Sequence, residues 1–321
     1  MSALRLEVAM CTYNGARYLG EQLATIAAQT RLPDRLVIVD DVSTDATVGI
    51  ARAFAAAAPF PVDVFINERN LGYARNFERA VGLAGGDVIA LADQDDAWVP
   101  GKLARIEAEL ARRPEAGAVF SDAEVVDEAL RPLGYRLWST VGFTRADQDE
   151  VASGRAFERL VRGNVVTGAT LAFRAEFRDR VFPIPERLDH DAWIALVVAA
   201  VAPLVAVAEP LIAYRQHAAN QIGARRLTTL GRLRRARSVG VKHLRGRREL
   251  CARALRRLED DPRVAPGRLL LLREAMAHLE MRAALPGWRL MRVGPIVRDV
   301  VAGRYRRQAQ GWRSAARDLL V

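Results

Sequence analysis

DVIALADQDDAW (87–98) decides how the rest of the chain is read. Val88 to Ala92 is an unbroken apolar run of the kind found in a strand buried on both faces. Three carboxylates, Asp93, Asp95 and Asp96, follow directly. Like charges this close repel, and desolvating a carboxylate is costly, so a purely structural reason for the cluster is hard to find. The pattern asks for something cationic at the end of a core strand.

Working outward, LEVAMCTY (6–13), RLVIVDD (35–41) and VDVFINE (62–68) read as further buried strands. Between them lie helical patterns: YLGEQLATIAAQT from Tyr18, with Leu19, Leu23 and Ile26 on one face, TVGIARAFAAAA from Thr47, and NFERAVGLA (76–84). Strand and helix in this alternation predict an α/β fold, a mostly parallel sheet with helices on both faces. Ligands of such sheets bind at the carboxyl ends of the strands. The loops CTYN, DDVSTD, NERNLGYARN and DQDD all fall on that edge. A nicotinamide or flavin domain needs G-x-G-x-x-G after its first strand, but TYNGARYLG stands there, and no G-x-x-x-x-G-K-[ST] occurs. A diphosphate on this edge would therefore be held by a metal on carboxylates rather than by glycine amides.

At 321 residues, half of them apolar, the chain supports one large domain or two smaller ones. Cys11 and Cys251 form no C-x-x-C and are too few for a disulfide framework, which points to a reducing, cytoplasmic setting. MSALRLEVAM does not read as a signal peptide. The apolar run Ala195–Ala208 contains Pro203 and falls short of the ~18–20 residues that cross a bilayer, so no transmembrane helix is expected. The net charge of +10 is uneven: from Arg225 onward there are 25 Lys or Arg against 8 Asp or Glu, a net of +17, leaving 23 against 30, or −7, before it. Residues 1–224 are accordingly read as the catalytic unit and 225–321 as a basic helical appendage.

A hard divalent cation, Mg²⁺ or Mn²⁺, typically binds through one or two carboxylates plus the phosphates of a substrate, and DQDD supplies the carboxylates. Asp40 and Asp41, at the end of the neighbouring strand, are better placed to accept hydrogen bonds from a base or ribose. A nucleoside diphosphate bridging the two loops fits both.

With these motifs in order, TYN (12–14), DDVSTDAT (40–47), NLGYARN (70–76), DQDDAW (93–98), NVVTGAT (164–170), HDAW (190–193) and YRQHAAN (214–220), the first 220 or so residues resemble a family 2 glycosyltransferase of the GT-A fold, an inverting nucleotide-sugar enzyme. The resemblance implies that Thr12, Asn14, Asp40 and Asp41 serve the nucleoside, with Arg75 reaching toward it. It implies Asp95 as the direct metal ligand and Asp93 nearer the ribose and donor sugar, and leaves Asp96 without a role. Asp191 falls where the family keeps its catalytic base. Its neighbour is His190 where many relatives have an acid, a departure that resembles the rhamnosyltransferase-like branch. Asp191 also reads as the N-cap of the helical pattern DAWIALVVAAV, and both roles can hold together. His217 is placed to hold the diphosphate or complete the metal site, with Arg215 and Gln216 on the same phosphate, although a lone histidine is more often structural. Trp98, Asn164, Thr167 and Gly168 are expected to shape the donor and acceptor pocket. Trp193 either stacks on a sugar or packs in the core. No Q-x-x-R-W occurs, which by resemblance implies a non-processive enzyme.

The implied donor is dTDP-rhamnose or a UDP-sugar, and the implied acceptor is a glycan or lipid-linked hydroxyl, as in cell-surface polysaccharide synthesis. In the tail, basic and apolar residues interleave at helical spacing, which predicts peripheral contact with anionic lipid at the inner face of the membrane. A solvated bundle is the plainer alternative. The rival from another class is a nucleic-acid- or membrane-binding protein acting through this tail, its nucleotide-binding domain not a transferase. No zinc-finger or RNP pattern accompanies the basic residues, so no nucleic acid is expected.

Overall fold

The computed structural model describes residues 4–217, 229–309 and 311–320, with backbone alone over 229–239. The AAN end of YRQHAAN and the opening of the basic tail at 225–228 lie outside the described residues. Two compact units form: Met1–Ala156 with Val165–Ala224, and Phe157–Asn164 with Arg225–Val321.

In the first unit, β1 (Leu6–Thr12), β2 (Arg35–Asp40), β3 (Val62–Ile66) and β4 (Val88–Ala92) are parallel, in the order β3-β2-β1-β4. They are linked by α1 (Ala16–Ala27), α2 (Thr47–Ala57) and α3 (Tyr73–Leu83). The apolar runs of β1, broken only by the buried Glu7, of β2 between Arg35 and Asp40, and of β4 follow from burial on both faces. Leu19, Leu23 and Ile26 of α1 enter the core as their spacing predicts. Helix α3 starts at Tyr73, three residues ahead of the expected Asn76. Gly72, at φ 76°, turns the chain there. The Asp41 carboxylate accepts from Leu71 N (2.7 Å) and Gly72 N (2.9 Å), so a side chain from another strand closes the turn that leads into α3.

The sheet continues past β4 as a mixed one. Along the chain come β5 (Ala97–Trp98), α4 (Lys102–Arg112), β6 (Ala118–Val126), β7 (Pro132–Arg136), α5 (Leu137–Val141), α6 (Arg145–Ala152) and α7 (Ala156–Val161). Next are β8 (Leu171–Arg174), α8 (Arg178–Val181), α9 (His190–Ala199) and β9 (Leu204–Arg215). In space the order runs β4-β8-β6-β9-β5, with β8 antiparallel to both of its neighbours and β5 antiparallel to β9.

The second unit contains α7 from Phe157 onward, α10 (Thr229–Leu258), α11 (Pro266–Ala283), α12 (Arg289–Val301), α13 (Arg304–Gln308) and α14 (Trp312–Leu320). A buried polar network ties four of them together. His278 Nδ1 of α11 meets Asp299 Oδ2 of α12 at 2.8 Å, with both side chains at 0% exposure, and Arg304 of α13 donates to Asp299 Oδ1 (2.9 Å). The Tyr305 hydroxyl and the Arg282 guanidinium both donate to Asp318 of α14. Buried charges persist when paired in this way, and the network sets which face of α12 turns inward.

Candidate active site

Register brings the predicted loops together. Thr12 pairs with Asp40 and Met10 with Ala92, so β2, β1 and β4 end side by side. The Thr12 hydroxyl donates to Asp40 Oδ2 (2.7 Å), and Ser43 donates to Asp40 from its backbone N (2.8 Å) and its hydroxyl (2.6 Å). Asn14 stands at φ 47°, a conformation asparagine tolerates, and its Oδ1 accepts from Thr44 N (2.8 Å). Gln94, the second residue of DQDD, is a structural strut that no motif singles out. Its amide pairs with the backbone of Tyr13 in both directions, at 2.8 and 3.0 Å, joining the first and fourth loops. A Cβ at Gly15 would lie 2.1 Å from Gln94 Oε1, so glycine is required for that approach.

The acid loop is electrostatically loaded. Burial together with Asp95 and Asp191 pushes the Asp93 carboxyl up to about 7. Asp95 Oδ2 lies 2.8 Å from His217 Nε2. That meeting of residues 122 apart is produced by β5 and β9, whose Ala97–Ala213 and Trp98–Ile212 pairs draw the end of β9 onto DQDD. Asp96, left without a role by the sequence, fastens this joint: its Oδ1 accepts Arg215 N at 3.0 Å. Asp96 Oδ2 is buried with no partner among the described residues. Lys102, which stands in none of the motifs, is fully buried near the cluster. Its ammonium lies 3.7 Å from the centroid of the Trp98 ring and donates to Ala169 O (2.7 Å). Burial lowers it to about 7 against the opposing pull of Asp96 and Asp93. The segment Pro100-Gly101-Lys102-Leu103 follows the strand, and a lysine at the start of a helix is ordinarily assigned to solvent.

Asp191 occupies the first turn of α9, with Asp189 at the N-cap position and making no side-chain cap bond. Asp191 Oδ2 accepts Gly168 N at 3.0 Å and Oδ1 accepts Ala192 N at 2.5 Å, so its carboxylate is aimed by two backbone donors. The Gly168–Ala169 turn thus links the two halves of the site, through Asp191 on one side and Lys102 on the other. His190 backs that turn. It stacks on Phe77 (centroids 4.0 Å apart, 17°), and burial pushes its imidazole down to about 3, so it is neutral. A Cβ on Gly168 would come within 2.6 Å of His190 Nε2, and the stacked ring cannot retreat. Gly168→Ala is therefore expected to cost about 1–3 kcal/mol of stability by overpacking. It should also lower turnover while nucleotide affinity holds, measured by denaturant unfolding and calorimetry side by side.

Several expected residues are placed differently. Arg215 is 1% exposed, and its guanidinium donates to Asp95 O, Glu128 O and the Glu21 carboxylate while covering Tyr18. It braces the β9 joint rather than presenting itself to a diphosphate. Arg75 is turned to both oxygens of Glu78 (2.9 and 3.0 Å) and toward Glu186 (3.5 Å), not to the strand ends. Trp193 is 2% exposed and donates to Val181 O, which places it in the core rather than against a sugar. Trp98, 4% exposed, supports Lys102 from below the site. Asp41 accepts from Asn67, Leu71 and Gly72, and Asp40 from Thr12 and Ser43, so both carboxylates first organise their own loops. Thr167 O accepts the Thr170 hydroxyl at the turn before β8, and Asn164 groups with the second unit.

Among the described residues no three His, Cys, Asp or Glu side chains form a complete metal cage. The donor set nevertheless suits a hard cation that takes its remaining oxygens from a diphosphate: Asp95 and Asp93 are carboxylates under mutual repulsion, with the unpartnered Asp96 oxygen behind them. Asp95 and Asp93 would hold it, with His217 adjoining Asp95.

Residues 7–161 match the family described as Glycosyl transferase family 2. An uncharacterized glycosyltransferase of Nostoc sp. is 28% identical over 228 residues, 68% of this chain and 66% of that protein. The dTDP-rhamnosyl transferase RfbG of Shigella flexneri is 36% identical over 98 residues, 29% of this chain and 34% of that protein. The chain thus spans from about a third to two thirds of the length of these curated relatives. Among solved structures, mannosyltransferase PcManGT of Pyrobaculum calidifontis, in complex with GDP-Man and Mn²⁺, aligns with a TM-score of 0.58 at 22% identity, covering 94% of this chain and 77% of that one. TarS residues 1–349 of S. aureus, in complex with UDP-GlcNAc, align at 0.57 and 17%, covering 97% and 90%. At these identities the structural matches establish the fold, that of the GT-A glycosyltransferases.

Proposed function

Because the chain belongs to glycosyltransferase family 2, we propose that residues 1–224 are the catalytic domain of a non-processive, inverting enzyme of the rhamnosyltransferase-like branch. It moves one sugar from a nucleoside-diphosphate donor, dTDP-rhamnose in preference to a UDP-sugar, to a hydroxyl of a glycan or lipid-linked acceptor in cell-surface polysaccharide synthesis. It works in the cytoplasm, at the inner face of the membrane. The observation that carries the reading is Asp191, aimed by Gly168 N and close enough to the DQDD loop to raise the pKa of Asp93.

In the proposed step the acceptor oxygen attacks the anomeric carbon as its proton passes to Asp191, whose carboxylate is aimed by Gly168 N and Ala192 N. The bond from the anomeric carbon to the diphosphate oxygen breaks in the same displacement, so the configuration inverts and the nucleoside diphosphate leaves. A bound Mg²⁺ or Mn²⁺ supplies charge stabilisation of the departing diphosphate. Thr12, Asn14, Asp40 and Asp41 shape the nucleoside end, and Gly168 and Thr167 the sugar end. The preference for dTDP-rhamnose rests on the 36% identity to a dTDP-rhamnosyl transferase.

Calorimetric titration of dTDP and UDP, with and without Mn²⁺, tests the assignment. Metal-dependent binding with dTDP the tighter is expected. Binding no tighter for dTDP than for UDP overturns the donor assignment. Lack of binding by any nucleoside diphosphate in Mn²⁺ overturns the transferase reading.

A further inference from the structure

Helix α12 buries Ile296 and a charge and turns an aliphatic stripe outward. Its buried positions include the charged Asp299, at 0% exposure, while Leu290 is 85% exposed, Val297 51% and Val301 83%. At about 100° per residue, Leu290, Val297 and Val301 all point within roughly 20° of the direction opposite Asp299. Val293 (43%) flanks this stripe. The arrangement is built rather than incidental, because His278 and Arg304 lock Asp299 inward and so force the aliphatic stripe outward. Trp288, just before α12, is 80% exposed, and Trp312, at the start of α14, is 75% exposed. Leaving this much aliphatic and aromatic surface in water forgoes burial that a small helical unit needs, so the face has a partner.

The charge around the stripe selects that partner. Over 288–320 both acids, Asp299 and Asp318, are paired internally, whereas Arg289, Arg298, Arg306, Arg307, Arg313 and Arg317 are exposed. A surface that takes arginines and aliphatic side chains together, with tryptophans beside them, is an anionic bilayer, since nucleic acid offers nothing to a row of Leu and Val. The helix has 13 residues, about 20 Å at 1.5 Å each, and no described helix is long and apolar enough to cross a membrane. It therefore lies in the interfacial plane.

We propose that α12, with Trp288 and Trp312, is the surface by which this protein docks on anionic phospholipid. The inference deepens the membrane contact in the functional reading above and rests on that contact, but locates it in α12 instead of the arginine-rich α10.

The test is co-sedimentation of the full chain with vesicles of phosphatidylcholine alone and with added phosphatidylglycerol, together with tryptophan emission. Expected are pelleting that depends on phosphatidylglycerol, a blue shift on binding, and at least tenfold weaker binding for Leu290→Ser/Val297→Ser/Val301→Ser. Because these side chains are exposed, the variant should keep its unfolding midpoint and its nucleotide affinity. Arg256→Glu/Arg257→Glu on α10 should retain most of the binding. Undiminished pelleting of the α12 variant, with loss in the α10 variant, overturns the inference and leaves peripheral membrane contact standing. Failure of the wild-type protein to pellet with either vesicle overturns both. Dimerisation through this face, abolished by the triple substitution and without vesicle binding, assigns it to a second copy and also overturns the inference. Nucleotide titration of the same samples reports on the transferase reading independently.

Discussion

Asp191→Asn should lower sugar transfer by about 10²–10⁴-fold, the usual scale for removing a general base, while nucleoside-diphosphate affinity stays within a few-fold of wild type. The amide is nearly isosteric and its oxygen can still accept Gly168 N, so the turn before β8 keeps its place. What is lost is the ability to take a proton. The substitution also removes a negative charge acting on Asp93, which eases the repulsion that pushes that carboxyl up to about 7. Donor binding is therefore not expected to weaken. Initial rates with saturating donor, set beside calorimetric affinity, separate the two effects. Near-normal turnover would reduce Asp191 to a helix-terminus residue, with its negative charge serving only the first turn of α9.

Asp95→Ala is expected to act in the opposite sense. Metal-dependent nucleotide binding should fall by about a hundredfold or more, within the roughly 2–5 kcal/mol that losing one member of a buried charge pair costs. Asp95 repels both Asp93 and Asp96, so its removal relieves the metal-free protein. The unfolding midpoint without metal should therefore not drop, even though His217 loses its carboxylate partner. A site that sacrifices stability for function predicts this pairing. Calorimetry with Mn²⁺ and thermal unfolding in chelator measure it. Nucleotide binding that survives the substitution and ignores Mn²⁺ would remove Asp95 from metal binding.

The parallel half of the sheet and the edge where the chemistry gathers are legible in the residues alone. Buried parallel strands are nearly continuous apolar runs, so LEVAM, with Glu7 its one charge, LVIV and VIALA stand out, and the polar residues that follow them fall on one edge because parallel strands all end together. The carboxylates of DQDD were legible for the same reason, as three like charges gathered where a buried strand ends. Asp191 was legible through its motif, but the bond from Gly168 that aims it was not. Tertiary structure alone decided the rest, because the partners lie far apart along the chain. Arg215 reads as a phosphate ligand until the β5–β9 pairing turns its guanidinium onto Glu21 and two carbonyls. Lys102 reads as a surface lysine until α4 buries it under the acid loop, where it meets Ala169. Interleaved spacing marks the tail as amphipathic but does not say which face of α12 is buried. Only the buried His278–Asp299–Arg304 network shows that Asp299 turns inward and Leu290, Val297 and Val301 outward, since a buried carboxylate must stay with its partners.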